Sequence, residues 1–449
     1  MDGRTSNLRT LQHPARLVPL AFLLAIVVGT AVLMLPVSRA GAGSAPFLTA
    51  LFTATSAVSI TGLSAVDTAT YWSGFGQAAI LAMIQLGGLG IMGGATLLGL
   101  LVARRLRLST RLVAQAETRS LALGDVTSIL RLVLQVTISA ELVTAVVLTL
   151  RLHHAYEEPW PEAAWNGLFL AVSAFCNAGF SVYPDSTVKF APDWLILGPV
   201  MVAVILGSIG FPVLHELRRN PRHPVKWSVH TKMTLLGTGL LLLVGLLATL
   251  AYEWNNPATL GALDPAGKLL ASVFHSAMTR SGGLNSLDIG QMRPETLVIS
   301  DALMLIGGGS ASTAGGIKVT TFLVLGLVVW AEIRGEPDVT AFGRRISPDV
   351  QRQALTVVLL AVSIVGIATL LLLSLSDFSL QQILFEVISA FATVGLSTGI
   401  TPHLPPSCQF ILVVLMFLGR VGTITVATGL ALRSRQSPYR YPEERPIVG

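Results

Sequence analysis

Long apolar runs are the feature that most limits how this chain can fold. Eight of them are spread along the sequence. They are residues 17–35, 75–102, 129–150, 195–214, 233–250, 322–329 with the residues before it, 355–373 and 410–432. A helix of about 20 apolar residues spans a bilayer, and charged residues make up only 12% of the chain, against about 25% in soluble domains. We therefore expect an all-α integral membrane protein.

The basic residues are concentrated in alternate loops between these runs. The basic loops contain Arg4, Arg9, Arg16, Arg104, Arg105, Arg107, Arg111, Arg218, Arg219, Arg222, Lys226, Arg334, Arg344, Arg345, Arg433, Arg435 and Arg440. The other loops hold little beyond Arg39, Lys189 and Arg293. Cytoplasmic loops are enriched in Lys and Arg, so we expect a multi-pass protein of the cell membrane with both termini in the cytoplasm. The same distribution argues against a nucleic-acid partner, despite a net charge of +6.

Four segments of similar sequence lie between the apolar runs. They read PFLTALFTATSAVSITGL, AWNGLFLAVSAFCNAGF, GKLLASVFHSAMTRSGGL and LQQILFEVISAFATVGL. Each has an amphipathic stretch too short to cross a membrane, then small or polar residues, then glycine before Leu or Phe. The glycines, here called the loop glycines, are Gly62, Gly179, Gly283 and Gly395, spaced by 104–117 residues. This repeat predicts four pseudo-repeated units of outer helix, pore helix, filter loop and inner helix around a central pore.

The same spacing predicts the unit boundaries. A cytosolic N-terminus and the first unit fall in residues 1–111, the second unit in 112–228, the third in 229–346, and the fourth with a C-terminal tail in 347–449. A Ser-Ala pair begins six residues before three of the loop glycines but seven residues before Gly283, so Gly282 is an alternative register. Gly283 is preferred because Leu284 then matches the Leu or Phe that follows the other three.

Glycines in this pattern suit a binding site for a dehydrated monovalent cation. Backbone carbonyl oxygens can replace the water around such an ion, and glycine adopts the backbone angles that turn several of them toward one axis. Non-helical backbone is tolerated at membrane depth where it lines a water-filled cavity or is buried in protein. The alternative, glycines that only pack helices together, explains four such loops less well. The residues predicted to bind such an ion through backbone carbonyls are Thr61, Gly62, Ala178, Gly179, Gly282, Gly283, Val394 and Gly395.

A glycine-rich segment, residues 307–318, interrupts the third inner helix. Its candidate gate residues are Gly307, Gly308, Gly309, Ser310, Ala311, Ser312, Thr313, Ala314, Gly315, Gly316 and Lys318. Five glycines do not sustain a rigid helix, so we expect a mobile gate below the filter. Arg420, within the last apolar run, is expected to place a positive charge near the inner side of the pore. The alternative is a salt bridge to a buried carboxylate such as Glu141, whose own role stays open.

Other charged residues near the loops have weaker signals. Asp67, Asp185 and Asp288 follow three loop glycines at a similar distance and would attract cations at an outer mouth, although loop solvation explains them equally well. Arg280 is expected to brace the third loop by donating hydrogen bonds. We expect no enzyme and no catalytic residue, because the sequence has no H-E-x-x-H, no nucleophile elbow and no acidic metal-binding cluster in its apolar runs.

Several of these motifs resemble a known family. VSITGLSAVDT, SAFCNAGF, TRSGGLNSLD and EVISAFATVGLSTGITP resemble the four pore loops of the Trk/Ktr/HKT superfamily of potassium transporters. IGGGSASTAGGIKVTTF resembles its intramembrane loop, and GRVGTITVA its arginine-bearing last helix. The short chain, the first loop and the tail YRYPEERPIVG point to the KtrB branch. The resemblance implies that the loop glycines form a potassium selectivity filter, that residues 307–318 form the gate, and that Arg420 lies beneath the filter.

The resemblance also implies partners and ions. Members form homodimers with one pore in each subunit, and Gly449 matches a C-terminal tail that packs at the dimer interface. Potassium uptake in the KtrB branch is typically promoted by sodium. A cytosolic ring of nucleotide-binding RCK domains, KtrA, controls it, so no organic cofactor is expected on this chain, and membrane lipid is the remaining partner. The other function considered is a sodium-coupled secondary transporter of another small solute, which would have fewer repeats of opposed topology.

Overall fold

The structure, a computed structural model, describes residues 14–105 and 126–422 of the chain. In these ranges it contains fifteen α-helices and one two-stranded hairpin. In chain order the helices are α1 (Pro14–Leu33), α2 (Phe47–Val58), α3 (Thr68–Tyr71), α4 (Gly74–Arg105), α5 (Val126–Tyr156), α6 (Trp160–Phe175), α7 (Trp194–Ile209), α8 (Phe211–Arg219), α9 (Val229–Glu253), α10 (Pro265–Met278), α11 (Pro294–Leu305), α12 (Val319–Arg334), α13 (Pro348–Leu375), α14 (Leu380–Phe391) and α15 (Pro406–Phe417). The hairpin pairs β1 (Thr340–Ala341) with β2 (Arg344–Arg345), antiparallel, between α12 and α13.

Four of the long helices are each followed by a short helix. The long helices α1, α5, α9 and α13 each pack on the helix that follows, and these followers, α2, α6, α10 and α14, are only 12–16 residues long. We call these four followers the short helices. Each also contacts a helix of the neighbouring group, in the pairs α4 with α6, α7 with α10, α11 with α14, and α15 with α2. The contact of α15 with α2 brings the end of the described chain back to its beginning, so the helix groups close on themselves.

Three of the described helices have the length and apolar composition to cross a membrane. They contain Arg131–Tyr156, Val229–Glu253 and Pro348–Leu375, and α7 with α8 makes a fourth if this bent pair is counted as one span. Large apolar side chains on these helices, including Leu142, Leu247 and Leu370, are exposed at the protein surface. Exposed apolar side chains on long helices suit a lipid environment, because lipid removes them from water.

The apolar run at residues 195–214 is not the continuous helix that hydropathy predicts. α7 and α8 meet at an angle of 98°. Gly210, between them, has φ 97° and ψ 143°, a combination open almost only to glycine. Pro212 lies in the first turn of α8, where its missing N–H costs no hydrogen bond. A Cβ atom on residue 210 would collide with the carbonyl oxygen of Ser310. The bend therefore depends on a contact with a distant residue, which is why the hydropathy of the run wrongly predicts one continuous helix.

Two other apolar runs are also interrupted. The run around residues 322–329 is split into α11 and α12 by the non-helical residues 306–318. The last run is helical only to Phe417 and continues as a π-helical turn, Leu418–Gly422. Residues 423–432 lie outside the described residues. The same is true of the predicted boundary at residues 111–112, of the tail that ends with Gly449, and of the basic residues Arg4, Arg9, Arg433, Arg435 and Arg440.

The bend between α7 and α8 predicts the effect of a single methyl group. Gly210→Ala should destabilise the folded protein by about 1–3 kcal/mol, because alanine is strained at a positive φ. The readout is the midpoint of thermal unfolding in detergent. Gly198→Ala is the matched control, since Gly198 lies in α7 and a Cβ added there would have no other atom within 4 Å; it should leave the midpoint unchanged or slightly higher. Equal midpoints for the two variants would contradict this account of the bend.

Candidate functional site

The four loop glycines lie against one another. A Cβ atom on Gly62 would be 2.9 Å from the Cα of Gly179, and one on Gly179 would be 2.9 Å from the Cα of Gly283. A Cβ atom on Gly283 would collide with the carbonyl oxygen of Val394, and one on Gly395 would be 3.0 Å from the Cα of Gly62. The contacts therefore run from the first loop through the fourth and back to the first. We call this arrangement the glycine ring.

Carbonyl oxygens of the preceding residues belong to the same ring. The oxygen of Ala178 is 2.5 Å from the position of a Cβ on Gly62, and the oxygen of Thr61 lies beside Gly395 in the same way. Thr61, Ala178 and Val394 are fully buried. Within residues 14–105 and 126–422, their carbonyl oxygens accept no hydrogen bond. Buried carbonyls normally have a partner, so these oxygens are available to a ligand.

Each loop contains a second residue with left-handed backbone, two positions before its glycine. These residues are Ile60 (φ 55°), Asn177 (φ 59°), Ser281 (φ 83°) and Thr393 (φ 50°). A positive φ is a genuine outlier for β-branched residues and costs of order 1–3 kcal/mol unless the surroundings enforce it. The sequence predicts none of these four positions, because only asparagine among them is a residue type that favours this region. Left-handed backbone at these two positions of each loop interrupts the strand pattern, in which successive carbonyls point in opposite directions.

The Ser-Ala pairs of the sequence now have a physical role. The N–H of Gly62 donates to the hydroxyl of Ser56 (3.0 Å), and the N–H of Gly395 donates to the hydroxyl of Ser389 (3.1 Å). The hydroxyl of Ser173 instead donates to a carbonyl of the second loop, at 2.6 Å. In three of the four units a serine of the short helix therefore fixes the loop that follows it.

The third loop is held differently, and Gly283 rather than Gly282 lies in the glycine ring. Gly283 has φ 71°, and the N–H groups of both glycines donate to the carbonyl of Met278, at 3.3 Å for Gly283 and 2.8 Å for Gly282. The hydroxyl of Ser276 donates to the carbonyl of Leu242 in α9 (2.7 Å). Because this serine is one position further from its glycine, it anchors the short helix to α9 instead of holding the loop.

The short helices direct their carboxyl ends toward the glycine ring. Their last residues are Val58, Phe175, Met278 and Phe391, each a few positions before a loop glycine. The C-terminus of a helix carries a partial negative charge of about half an elementary charge. Four such ends favour a cation in the ring without placing a carboxylate there. The sequence left the sense of this charge open.

The glycine-rich segment, residues 307–318, packs against two of the loops and against the end of α6. The hydroxyl of Thr313 donates to the carbonyl of Phe175 at the end of α6 (3.4 Å). The N–H of Gly315 donates to the hydroxyl of Ser281 in the third loop (3.1 Å). A Cβ atom on Gly315 would collide with the side chain of Thr393 in the fourth loop. The predicted gate residues and the predicted ion-binding loops are therefore direct neighbours.

Main-chain hydrogen bonds hold the segment in place. The N–H groups of Gly309 and Thr313 donate to the carbonyls of Ser208 (2.7 Å) and Gly207 (3.2 Å) at the end of α7. The ammonium of Lys318 donates back to a carbonyl of the segment, at 2.6 Å. Three further N–H groups donate to carbonyl oxygens: Gly307 to Ile317 (2.9 Å), Val319 to Gly308 (3.1 Å) and Phe211 to Ala311 (3.3 Å). The hydroxyl of Ser312 donates to the carbonyl of Gly309 (2.6 Å), and the hydroxyls of Ser310 and Thr320 are hydrogen-bonded to each other (3.4 Å). Main-chain and side-chain hydrogen bonds therefore both shape the segment.

The buried arginines Arg280 and Arg420 differ in how they are paired. Arg280 donates to the carbonyls of Thr238 and Gly307, each at 3.0 Å. It therefore braces the start of the glycine-rich segment, and the prediction that it braces its own loop was wrong. Arg420 is buried in the π-helical turn, and its Nε and Nη2 atoms have no hydrogen-bond partner in the described chain.

Glu141 does not neutralise Arg420. Its carboxylate accepts a hydrogen bond from the side-chain amide of Gln85 (3.1 Å), and the thiol of Cys176 lies 3.7 Å away. No ion pair joins Glu141 to Arg420 among the residues that the structure describes. The salt-bridge alternative was therefore wrong. Glu141 instead lies behind the second loop, which begins directly after Cys176.

Two of the three acidic residues that follow the loop glycines have structural partners. Asp67 and Asp288 accept hydrogen bonds from the N–H groups of Ala69 and Gly290, each at 3.0 Å, and so cap local turns. Asp185 is exposed. For the two caps, a role in loop structure is therefore the better-supported reading.

A buried carboxylate that was not predicted from the sequence fixes the fourth loop. Glu386, in α14, is fully buried and accepts hydrogen bonds from the hydroxyl of Ser397 (2.5 Å), the N–H of Thr398 (3.0 Å) and the hydroxyl of Thr401 (2.8 Å). One carboxylate thereby holds the chain immediately after Gly395. The signal was present, since Glu386 is the only charged residue of this short apolar helix.

Comparison with known proteins identifies the family. The sequence profile of the TrkH family, described as cation transport protein, matches residues 13–438. The chain belongs to the TrkH family. Ktr system potassium uptake protein B of Bacillus subtilis is 38% identical to this TrkH-family chain over 436 residues, which cover 97% of each protein. Potassium/sodium uptake protein NtpJ of Enterococcus hirae is 33% identical and covers 99% of both.

A solved structure of the TrkH family has the same fold. The potassium transporter TrkH of Vibrio parahaemolyticus superposes with a TM-score of 0.71 at 15% sequence identity, over 91% of this chain and 82% of that one. The predicted class, an all-helical membrane protein, is confirmed by this likeness. The family match confirms the resemblance to the Trk/Ktr/HKT superfamily that the motifs indicated.

Proposed function

We propose that this TrkH-family chain is the ion-translocating subunit of a potassium uptake system, and that potassium crosses the membrane through the glycine ring. The observation that carries the proposal is the mutual contact of the loop glycines beside buried carbonyl oxygens without hydrogen bonds. Carbonyl oxygens replace the hydration shell of potassium in selective pores. Two relatives are named potassium uptake and potassium/sodium uptake proteins, which supports potassium as the cargo.

The electrostatics of the ring suit passage as well as binding. Its charge comes from carbonyl dipoles and the carboxyl ends of the short helices. Partial charges of this kind attract a monovalent cation without holding it as a cluster of carboxylates would. Conduction requires binding that is favourable enough for entry and weak enough for release, and a carbonyl ring meets both conditions.

The proposal assigns the gate to the glycine-rich segment, residues 307–318, with Arg420. Through Thr313 and Gly315 the segment touches the third and fourth loops and the end of α6, so it narrows the path where it lies and widens it when it moves. Main-chain hydrogen bonds hold it, and backbone bonds can be exchanged for others as a segment shifts. Arg420, whose guanidinium is incompletely paired in the described chain, adds a positive charge that opposes cations near the closed segment.

The proposal extends to regulation and assembly. Sodium promotes uptake, a homodimer is the working unit, and a cytosolic ring of RCK domains moves the gate from the side of the basic loops. Both termini then lie in the cytoplasm, and the protein resides in the cell membrane. The name of NtpJ includes sodium, and the name Ktr system implies a second subunit. Arginines of α8 and of the β1–β2 hairpin give this side a basic surface.

Growth and flux together test the proposal. In cells without their own potassium uptake, expression of this chain should restore growth at low potassium. The purified protein in liposomes should dissipate a potassium gradient faster than empty liposomes. Membrane-inserted protein that gives neither growth nor potassium flux would contradict the proposal. Sodium-coupled uptake of an organic solute by the same liposomes would support the secondary-transporter alternative.

A substitution in the glycine ring should change selectivity. Gly395→Ser should lower potassium-over-sodium discrimination by about tenfold, because a strain of about 1–3 kcal/mol at a positive φ and a collision with Thr61 widen the ring. The measurement is the ratio of potassium to sodium flux in liposomes. Gly399→Ser is the matched control: residue 399 has φ 90°, in the same loop, with no atom within 4 Å of a Cβ. Unchanged selectivity in Gly395→Ser would remove Gly395 from the filter.

Removing part of the glycine-rich segment should open the path. Deletion of residues 310–315 should raise potassium flux in the absence of any cytosolic partner, because the contacts of Thr313 and Gly315 with the loops are lost. Flux in liposomes is the measurement, with the unmodified chain at equal protein density as reference. A reduced or unaltered flux in the folded deletion variant would show that the segment is scaffold.

A further inference from the structure

One buried hydroxyl joins the glycine-rich segment to two of the loops. Ser281 donates a hydrogen bond to the carbonyl of Thr393 (2.9 Å) and accepts one from the N–H of Gly315 (3.1 Å). The side chain is fully buried. Three parts of the protein that are far apart in sequence, the third loop, the fourth loop and the glycine-rich segment, therefore meet at a single oxygen atom.

Both loop residues in this junction occupy equivalent places. Ser281 lies two residues before Gly283, and Thr393 lies two residues before Gly395. Each has left-handed backbone, with φ 83° and φ 50° respectively. Such angles persist only where the surroundings enforce them. The bond from Ser281 to the Thr393 carbonyl is one of the contacts that enforce them, and it fixes the third and fourth loops relative to each other.

The state of the segment acts on this bond through the hydroxyl. When the Gly315 N–H donates to the serine oxygen, it polarises the hydroxyl and strengthens its own donation to the Thr393 carbonyl. When Gly315 leaves, the oxygen loses its donor, and the hydroxyl proton is free to rotate toward other acceptors. Displacement of the segment thus weakens the link between the two loops.

The equivalent positions of the other two loops lack this connection. Ile60 has no polar side-chain atom. The amide of Asn177, in its better orientation, donates to the carbonyls of Val204 and Ala174, which lie in α7 and α6. Of the four left-handed loop residues, all of them in the described chain, only Ser281 has a side-chain hydrogen bond to the glycine-rich segment.

We propose that Ser281 is a positioning residue that makes ion selectivity depend on the position of the gate. With the segment in place, Ser281 holds the third and fourth loops in the selective geometry. With the segment displaced, the loops loosen and discrimination between potassium and sodium falls. This inference rests on the proposed function and adds that the gate and the filter are mechanically linked through one hydroxyl.

Three single variants separate the hydroxyl from the backbone strain. Ser281→Ala removes the hydroxyl and retains a Cβ at a positive φ. Ser281→Gly removes the hydroxyl and relieves that strain. Ser286→Ala is the matched control, because Ser286 is buried in the chain that follows the same loop and its hydroxyl has no hydrogen-bond partner among the described residues.

The first readout is the ratio of potassium to sodium flux through the purified full-length protein in liposomes. Ser281→Ala and Ser281→Gly should both lower this ratio by about threefold to tenfold, the range expected for a single neutral hydrogen bond, and should raise flux without a cytosolic partner. Ser286→Ala should match the unmodified chain. If Ser281→Gly has the same potassium-to-sodium flux ratio as the unmodified chain, a lower ratio in Ser281→Ala results from backbone strain. That outcome would overturn the inference.

The second readout is coupling between Ser281 and the segment. Deletion of residues 310–315 should lower the flux ratio as well as raise flux, and adding Ser281→Ala to the deletion should lower the ratio less than it does in the full-length chain. Equal effects of Ser281→Ala in both backgrounds would overturn the inference. If the deletion variant does not fold, the two full-length Ser281 variants still test the inference. A purely structural role of Ser281 would lower thermal stability without changing the potassium-to-sodium flux ratio, and that result would overturn it.

Failure of this inference and failure of the proposed function look different. If the unmodified chain passes potassium selectively and the Ser281 variants do so equally well, the inference is wrong and the proposed function stands. If the unmodified chain passes no potassium under conditions in which it is folded, the proposed function fails, and the inference fails with it.

Discussion

The close approach of the four loop glycines is the constraint on which the rest of the structure depends. Each glycine lacks the Cβ atom that would collide with the next loop, and each adopts a positive φ that other residues avoid. A ring of this kind buries polar backbone inside the protein, where lipid cannot pair with it. The cost is tolerable only if the surrounding protein fixes the loops and leaves their unpaired carbonyl oxygens to an ion.

The helices supply that support from two sides. Each short helix ends at a loop, and serines in three of them hold the loop backbone. Glu386 fixes the chain after Gly395 by accepting hydrogen bonds from Ser397, Thr398 and Thr401. The long helices cover the short ones and present apolar side chains outward. The glycine-rich segment closes the remaining side, where Ser281 makes it part of the same hydrogen-bonded network.

How much of this could be predicted from the sequence depended on the range of the interactions. Apolar runs and repeated glycines carry their own signal, so the helical membrane class and the grouping of Gly62 with three distant glycines followed from pattern alone. The bend at Gly210, the left-handed backbone of Ile60 and the partners of Arg280 did not. Each depends on contacts with residues far away in the sequence, and no local pattern reports such contacts. Glu386 was predictable in part. A single acidic residue in an apolar helix indicates that it has a buried partner, but the sequence does not show which residue that partner is.

The central claim is that carbonyl oxygens of the glycine ring bind a desolvated potassium ion. The most direct measurement is the position of a heavy potassium analogue, rubidium or thallium, located by anomalous X-ray scattering in crystals of the purified protein. The account predicts anomalous density inside the ring, within coordination distance of the Thr61, Ala178 and Val394 carbonyls, and its loss when sodium replaces the analogue. Well-ordered loops with no density there, and density at another site along the helices, would contradict it.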